Sequence, residues 1–317
     1  MEHNIVSVSG GKDSTALLLL AIERQTENLQ AVFCDTGNEH PITYEYVQYL
    51  NETVFPIKTV KADMSENINR RREKLEKIAN GEIDEVAKGL KYPFTPERAR
   101  EIIPLMQVTG NPFLDLCVAR GMFPTTMRRF CSEELKRNVL IEEVQLPLLD
   151  GTNKVMAWQG VRADESRARA NYVELDEVGG GLWNCRPILK WTVDDVFAMH
   201  RKHGVVPNPL YKMGMKRVGC MPCIHAGQDE LLEIAKRFPD QIARIKEWEA
   251  KVAATSRAPM LATFFEYSKM GMKNADNSRT GVEAQIAYIK RRKMPNHDLF
   301  KNEDEAPLCS SAYGLCE

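Results

Sequence analysis

Ile5-Val6-Ser7-Val8-Ser9-Gly10-Gly11-Lys12-Asp13-Ser14 passes from β-branched residues into two glycines, a lysine and an acid, and the apolar run after it, Thr15 to Ile22, is too long for a strand. This reads as strand, loop and buried helix. The unit repeats. Leu29 to Cys34 is apolar and ends in Asp35-Thr36-Gly37, after which Pro41 and the spacing of Tyr44, Val47 and Leu50 predict a second helix. Two strand-to-helix units in succession predict an α/β fold with a doubly wound parallel sheet. Further strands are predicted at Phe55 to Val60, Val155 to Gln159 and Cys185 to Ile188, the last ahead of a helix near Val193 to His203.

The sheet is interrupted. Between Lys61 and Glu143 lie charged helical segments, such as Ile68 to Ala79 and Pro96 to Ile103, whose composition suits solvated helices packed beside the sheet. From Ala226 the pattern turns helical again, clearest at Glu230 to Arg237 and Asp240 to Ala253. The expected organisation is a main domain over 1–225 with a helical insertion at about 61–143, then a carboxy-terminal helical extension over 226–317. Its last stretch, Asn302 to Glu305 before Pro307, is polar and expected to be loosely held.

Among 317 residues, 43 Lys and Arg face 44 Asp and Glu, a formal charge of −1, and 43% of the residues are hydrophobic. That composition excludes a chain disordered throughout and leaves no whole-molecule field to draw the protein onto nucleic acid or an anionic membrane. DNA contact is therefore expected to be local or through partners. No apolar run approaches the roughly 18 residues of a membrane helix. Met1-Glu2-His3-Asn4 does not begin a signal peptide, so a reducing cytoplasm is expected. Eight cysteines in that compartment point to metal ligands or reactive thiols before disulfides.

Ser9-Gly10-Gly11-Lys12-Asp13-Ser14 has the elements of an anion cradle. Glycines let backbone N–H groups approach phosphate oxygens, the helix start adds roughly half a positive charge, and Lys12 supplies a whole one. The Walker A spacing is absent, since only two glycines precede the lysine. The segment resembles the SGGKDS pyrophosphate loop of the adenine nucleotide α-hydrolase (PP-loop ATP pyrophosphatase) superfamily. The resemblance implies a Rossmann-like fold and ATP with Mg²⁺ held at Ser9, Gly10, Gly11, Lys12, Asp13 and Ser14.

Phe33-Cys34-Asp35-Thr36-Gly37-Asn38-Glu39-His40-Pro41-Ile42-Thr43 sits at the end of the second strand, where ligands bind in such sheets. Asp35 there can orient a hydroxyl or a metal-bound water, while Glu39 can cap the following helix. Gly160 to Arg169 follows the fourth predicted strand, and its guanidinium groups suit phosphate or sulfate oxygens. Arg162 is the foremost candidate; Arg167 and Arg169 are either ligand contacts or solvated charges. These two segments are similar to the DTGxExPxT and GxRxxES..R segments of the phosphoadenosine phosphosulfate (PAPS) reductase family. Asn208-Pro209-Leu210-Tyr211 and Gly219-Cys220-Met221-Pro222-Cys223 match its NPLY and GCxxC elements, so the resemblance covers most of residues 4–225. It implies catalytic roles for Lys12, Asp13, Asp35 and Arg162, with Thr36 and Gly37 completing the nucleotide loop.

Cys220 and Cys223 are spaced to share one metal or cluster, and Cys117 and Cys131 flank a loop containing Arg128 and Arg129. Four thiolates suit tetrahedral zinc or a [4Fe–4S] cluster alike, and spacing does not choose. Resemblance favours the cluster, because Arg129-Phe130-Cys131-Ser132-Glu133-Glu134-Leu135-Lys136 is similar to a segment of cluster-bearing family members. Cys34 and Cys185, in predicted strands, read as small buried hydrophobes. His200 and His203 read as surface residues, Trp183, Trp191 and Trp248 as packing or base-stacking residues, and Cys309 and Cys316 as either a carrier pair or an inert end.

The chain departs from the reductase pattern by ending in Gly314-Leu315-Cys316-Glu317, without the family's Glu-Cys-Gly-Leu/Ile-His element. It also has Ser132 after Cys131 where cluster-bearing assimilatory reductases have a second cysteine. It resembles instead the DndC and SspD type of ATP pyrophosphatase from bacterial DNA phosphorothioation systems. That implies adenylyl transfer from ATP to activate an acceptor for sulfur, with a cysteine desulfurase and other sulfur-modification subunits as partners. A PAPS or APS reductase, and a nucleotide-binding iron–sulfur sensor or assembly subunit without turnover, are the alternative expectations.

Overall fold

The computed structural model describes residues 1–267, 270 and 281–293. In chain order its elements begin β1 (Glu2–Val8), α1 (Lys12–Glu23), β2 (Leu29–Asp35), α2 (Pro41–Thr53) and β3 (Ile57–Lys61). Helices α3 (Ser65–Ala79), α4 (Pro96–Ile102) and α5 (Pro112–Arg120) follow, then the short turns α6 (Phe130–Ser132) and α7 (Asn138–Leu140), each leading into a π turn. Next come β4 (Lys154–Trp158), α8 (Arg167–Ala170), β5 (Leu175–Gly179), β6 (Leu182–Cys185) and α9 (Val193–Lys202), and last α10 (Gln228–Arg237), α11 (Pro239–Thr255) and α12 (Val282–Lys293).

The chain divides into two compact units. The first comprises Met1–Lys61 and Glu133–Met221, and holds one six-stranded sheet in the order β3-β2-β1-β4-β6-β5. All neighbours are parallel except the edge pair β5 and β6. This is the expected α/β sheet with one added strand. Apolar α1, with Leu17, Leu18 and Leu19 buried, packs on Val6, Val8 and Ala31 of the sheet and against Val196 and Met199 of α9. Strand order reverses at β1, with β2 on one side and β4 on the other, so the loops after β1 and β4 share the crevice where such sheets bind ligands. The unexpected β5 is a charged, largely exposed edge strand. It joins β6 through Gly179-Gly180-Gly181, all at positive φ, and a side chain at Gly181 would meet the Asn153 carbonyl at 2.7 Å.

The second unit joins Ala62–Ser132 to the chain from Pro222 onward. The helices expected as an insertion on the sheet domain therefore share a core with the carboxy-terminal helices, and the boundaries fall at Glu133 and Pro222. Aromatic packing explains the grouping. Phe113 of α5 stacks on Trp248 of α11 with ring centroids 5.5 Å apart, and Phe264 lies 5.9 Å from Phe113 and 5.4 Å from Phe123. Trp248 is thus a packing residue. Arg71 of α3 donates to the carbonyls of Val118 (2.7 Å) and Ala119 (3.0 Å), satisfying the end of α5. Buried Glu85 is paired by Arg257 and Lys74. No helix among the described residues is long and apolar enough to cross a membrane.

Candidate functional site

The site is built on the first turn of α1. Gly10 lies at φ +72°, and a side chain there would meet the Thr43 methyl at 3.0 Å, so both backbone shape and space call for glycine. Ser14 ties the loop together: its hydroxyl donates to the Gly11 carbonyl (3.0 Å), accepts from the Ser9 amide (3.1 Å) and contacts the Ser9 hydroxyl (3.1 Å). Asn208 donates to the Gly10 carbonyl at 3.1 Å. The Lys12 amide donates to the Tyr211 hydroxyl (2.9 Å), and the Lys12 ammonium lies 5.7 Å from the Tyr211 ring centroid.

Lys12 is only 6% exposed, and its ammonium donates to Asp13 at 2.8 Å. The other Asp13 oxygen accepts from Arg162 Nε at 2.6 Å, and Arg162 Nη1 reaches Asp164 at 2.7 Å. Arg162 is 3% exposed. Its carboxylate partners hold the guanidinium above its ordinary range against the opposing effect of burial. The Arg162 amide donates to Glu165 at 3.2 Å, which fixes the segment after β4, and Gly160 passes so close to α1 that a side chain there would lie 3.3 Å from the Ser14 amide nitrogen. Lys12, Asp13 and Arg162 are therefore brought together across the β1/β4 crevice. Arg169 pairs with Glu165 in the same segment, so it is a local structural contact here.

Asp35, Thr36 and Gly37 are gathered around buried Glu39. Asp35 accepts from the Gly37 amide (2.9 Å) and the Tyr44 hydroxyl (2.6 Å). Glu39 accepts from the Thr36 hydroxyl (2.8 Å) and amide (3.1 Å), and from the Cys220 thiol at 3.6 Å, with Lys136 3.9 Å away. Burial, with the carboxylates beside it, pushes the Tyr44 phenol well above its ordinary range, so it stays a donor. Glu39 thus organises the strand-end loop and Cys220 together, a larger role than the helix cap read from sequence; the cap of α2 is His40, whose ring accepts from the Ile42 amide at 3.1 Å.

Cys117 is fully buried, and burial together with the nearby Cys131 pushes its thiol up. Burial also lifts Cys34 to about 11, while Cys185 is half-buried in β6. Cys309 and Cys316 lie outside the described residues. Four thiolates are the right donors for cluster iron or zinc. Among the described residues, however, no group of three or more His, Cys, Asp or Glu side chains is gathered to hold a metal ion. Magnesium asks only for hard oxygens and keeps several waters. Asp13, 16% exposed at its side chain, and Asp164, 50% exposed, suit it beside nucleotide phosphates.

His200 corrects the surface reading: it is 1% exposed, and its Nε2 donates to the Lys12 carbonyl at 2.9 Å. The signal was present, since His200 lies four residues after buried Val196 on the apolar stripe of α9. His203 does reach solvent and pairs with Glu23 at 3.0 Å. Trp191 packs against the core and its carbonyl lies 3.4 Å from Arg162 Nη1.

The chain is 43% identical to an uncharacterized protein of Escherichia phage 186, over 99% of this chain and 96% of the phage protein. With an adenosine 5′-phosphosulfate reductase of Streptomyces coelicolor it shares 44% identity over 80 residues, 24% of this chain and 34% of that enzyme, so it spans about a third of that relative. A PAPS reductase structure from Candida auris, a phosphate complex, aligns with a TM-score of 0.38 at 17% identity over 69% of this chain and 81% of that one. The phosphoadenosine phosphosulfate reductase domain matches residues 3–226, taking in the Ser9–Ser14 loop, Asp35, Arg162 and Cys220, and the chain belongs to that family.

Proposed function

We propose that the protein is an ATP pyrophosphatase that adenylylates an acceptor for sulfur incorporation, in the manner of the DndC and SspD type of DNA phosphorothioation enzyme. The observation that carries this reading is the Lys12–Asp13–Arg162 cluster on the first turn of α1, beside the β1/β4 crevice. A helix start, a lysine and a guanidinium there suit a chain of phosphates. With the β and γ phosphates in the Ser9–Ser14 loop, the α phosphorus faces in-line attack and pyrophosphate leaves. Lys12 and the α1 amides stabilise charge on the leaving group, so electrostatic positioning supplies most of the catalysis. Mg²⁺, when bound, neutralises phosphate charge. In the resting protein the Asp13 carboxylate bridges the two cations, so incoming phosphate competes with it for Lys12 and Arg162.

The acceptor in this reading is a DNA phosphate reached with partner subunits, and a cysteine desulfurase provides the sulfur. A second reading, sulfonucleotide reduction, is favoured by the 80 residues shared with an APS reductase. Incubation with PAPS or APS and reduced thioredoxin separates the two: no sulfite is expected while ATP is consumed, and sulfite release without ATP consumption would replace the first reading by the second.

Cys117, Cys131, Cys220 and Cys223 are in this reading the ligands of a [4Fe–4S] cluster, on their spacing and the family resemblance. Anaerobically purified protein is then brown with about four irons per chain. Serine at any of the four bleaches it, and serine at Cys34 or Cys185 does not. Colourless protein with about one zinc per chain would make the site structural zinc.

A further inference from the structure

Lys12 is held at both its backbone amide and its backbone carbonyl by side chains from elsewhere in the sheet unit. Its amide is taken by Tyr211, and its carbonyl, besides serving α1, accepts from His200 Nε2 at 2.9 Å. Phe197 lies close to both clamping residues, its ring centroid 6.0 Å from that of His200 and 6.4 Å from that of Tyr211. A carbonyl accepts only, so Nε2 carries the proton and a neutral ring leaves Nδ1 bare. That nitrogen is buried without a hydrogen bond of ordinary geometry, the nearest backbone besides that of Lys12 being Val205.

An unpartnered buried nitrogen is a cost that an apolar residue of the same size would avoid. The packing of α9 on α1 alone therefore does not account for a histidine here. The Nε2–H bond to Lys12 does.

We infer that His200 is a positioning residue for the phosphate loop, acting through the Lys12 carbonyl to fix the first turn of α1 in its anion-binding conformation; the inference rests on the nucleotide reading of that loop. The charged groups facing the ring are Lys12 and Asp13, and the backbones of Lys12 and Val205 lie beside it. Asp13 and both backbones favour a proton, but burial outweighs them and holds the ring below its ordinary range, so it is neutral at pH 7.

The test compares His200→Met, which keeps volume and loses the donor, with His200→Gln, which keeps an N–H. Amide exchange of Lys12 to Thr15 is read in ligand-free protein and ATP affinity by calorimetry, with circular dichroism to check the fold. The Met variant is expected to exchange about tenfold faster at the loop and to bind ATP about tenfold more weakly, and the Gln variant to stay within about threefold of wild type. Wild-type exchange in the Met variant, or equal damage in both variants, would overturn the inference. If wild type binds no ATP, the nucleotide reading fails while the exchange comparison still decides the role of His200. Should the Met variant not fold, ¹⁵N spectra of the wild-type ring decide: a neutral Nε2–H tautomer at pH 7 is expected, and a charged ring or an Nδ1–H tautomer overturns it.

Discussion

Lys12→Ala is expected to lower ATP turnover about a thousandfold while leaving the protein folded. The ammonium is the one full positive charge on the α1 start itself, and in the proposed reaction nothing else in the Ser9–Ser14 loop would replace it as charge builds on departing pyrophosphate. Stability changes little for a physical reason. Asp13 keeps its 2.6 Å bond to Arg162 when Lys12 is truncated, so no carboxylate is left buried alone. Asp13→Ala is expected to lose turnover as well, because Lys12 and Arg162 lose the carboxylate that bridges them and sets their mutual geometry, Arg162 keeping only Asp164. Steady-state pyrophosphate release and thermal melting check both variants. Turnover within a few-fold of wild type in Lys12→Ala would remove the loop from the chemistry.

Arg162→Met is expected to damage stability and function together. The guanidinium is nearly inaccessible and bridges Asp13 and Asp164, so its loss leaves Asp13 with Lys12 alone and Asp164 without its 2.7 Å partner. Because both acids retain some access to water, the destabilisation should be about 2 kcal/mol, below the full cost of breaking a completely buried pair. It should appear as a lower denaturant midpoint at unchanged slope. ATP binding should fall with it, and Arg162→Lys should restore stability better than binding, since an ammonium keeps the charge but loses the planar fork. An Arg162→Met variant with native stability and native ATP affinity would contradict the arrangement.

The strand–loop–helix unit was legible because β-branched residues, two glycines and a long apolar run change period within a few positions, and those signals are local. The edge strand β5 was not. Leu175-Asp176-Glu177-Val178 has little alternation because one strand face does not need to be buried at an exposed edge, and the three glycines after it read as a loop. The true partner of the 62–132 helices was hidden for another reason. Their charge reports that one face meets water, whereas the identity of the buried neighbour depends on Phe113 meeting Trp248 across more than a hundred residues of sequence. At the site, Lys12, Asp13 and Arg162 could each be picked from sequence, but their mutual pairing could not. The apolar stripe of α9 signals that His200 is buried and a motif marks Tyr211, but neither shows that the two side chains meet the backbone of Lys12.

In the proposed reaction the Ser9–Ser14 loop directs cleavage between the α and β phosphates. Product analysis with α-labelled ATP and Mg²⁺, water standing in for the acceptor, tests it most directly. The account requires label in AMP with pyrophosphate released in equal amount, both lost in Lys12→Ala. Label in ADP with orthophosphate released would contradict it.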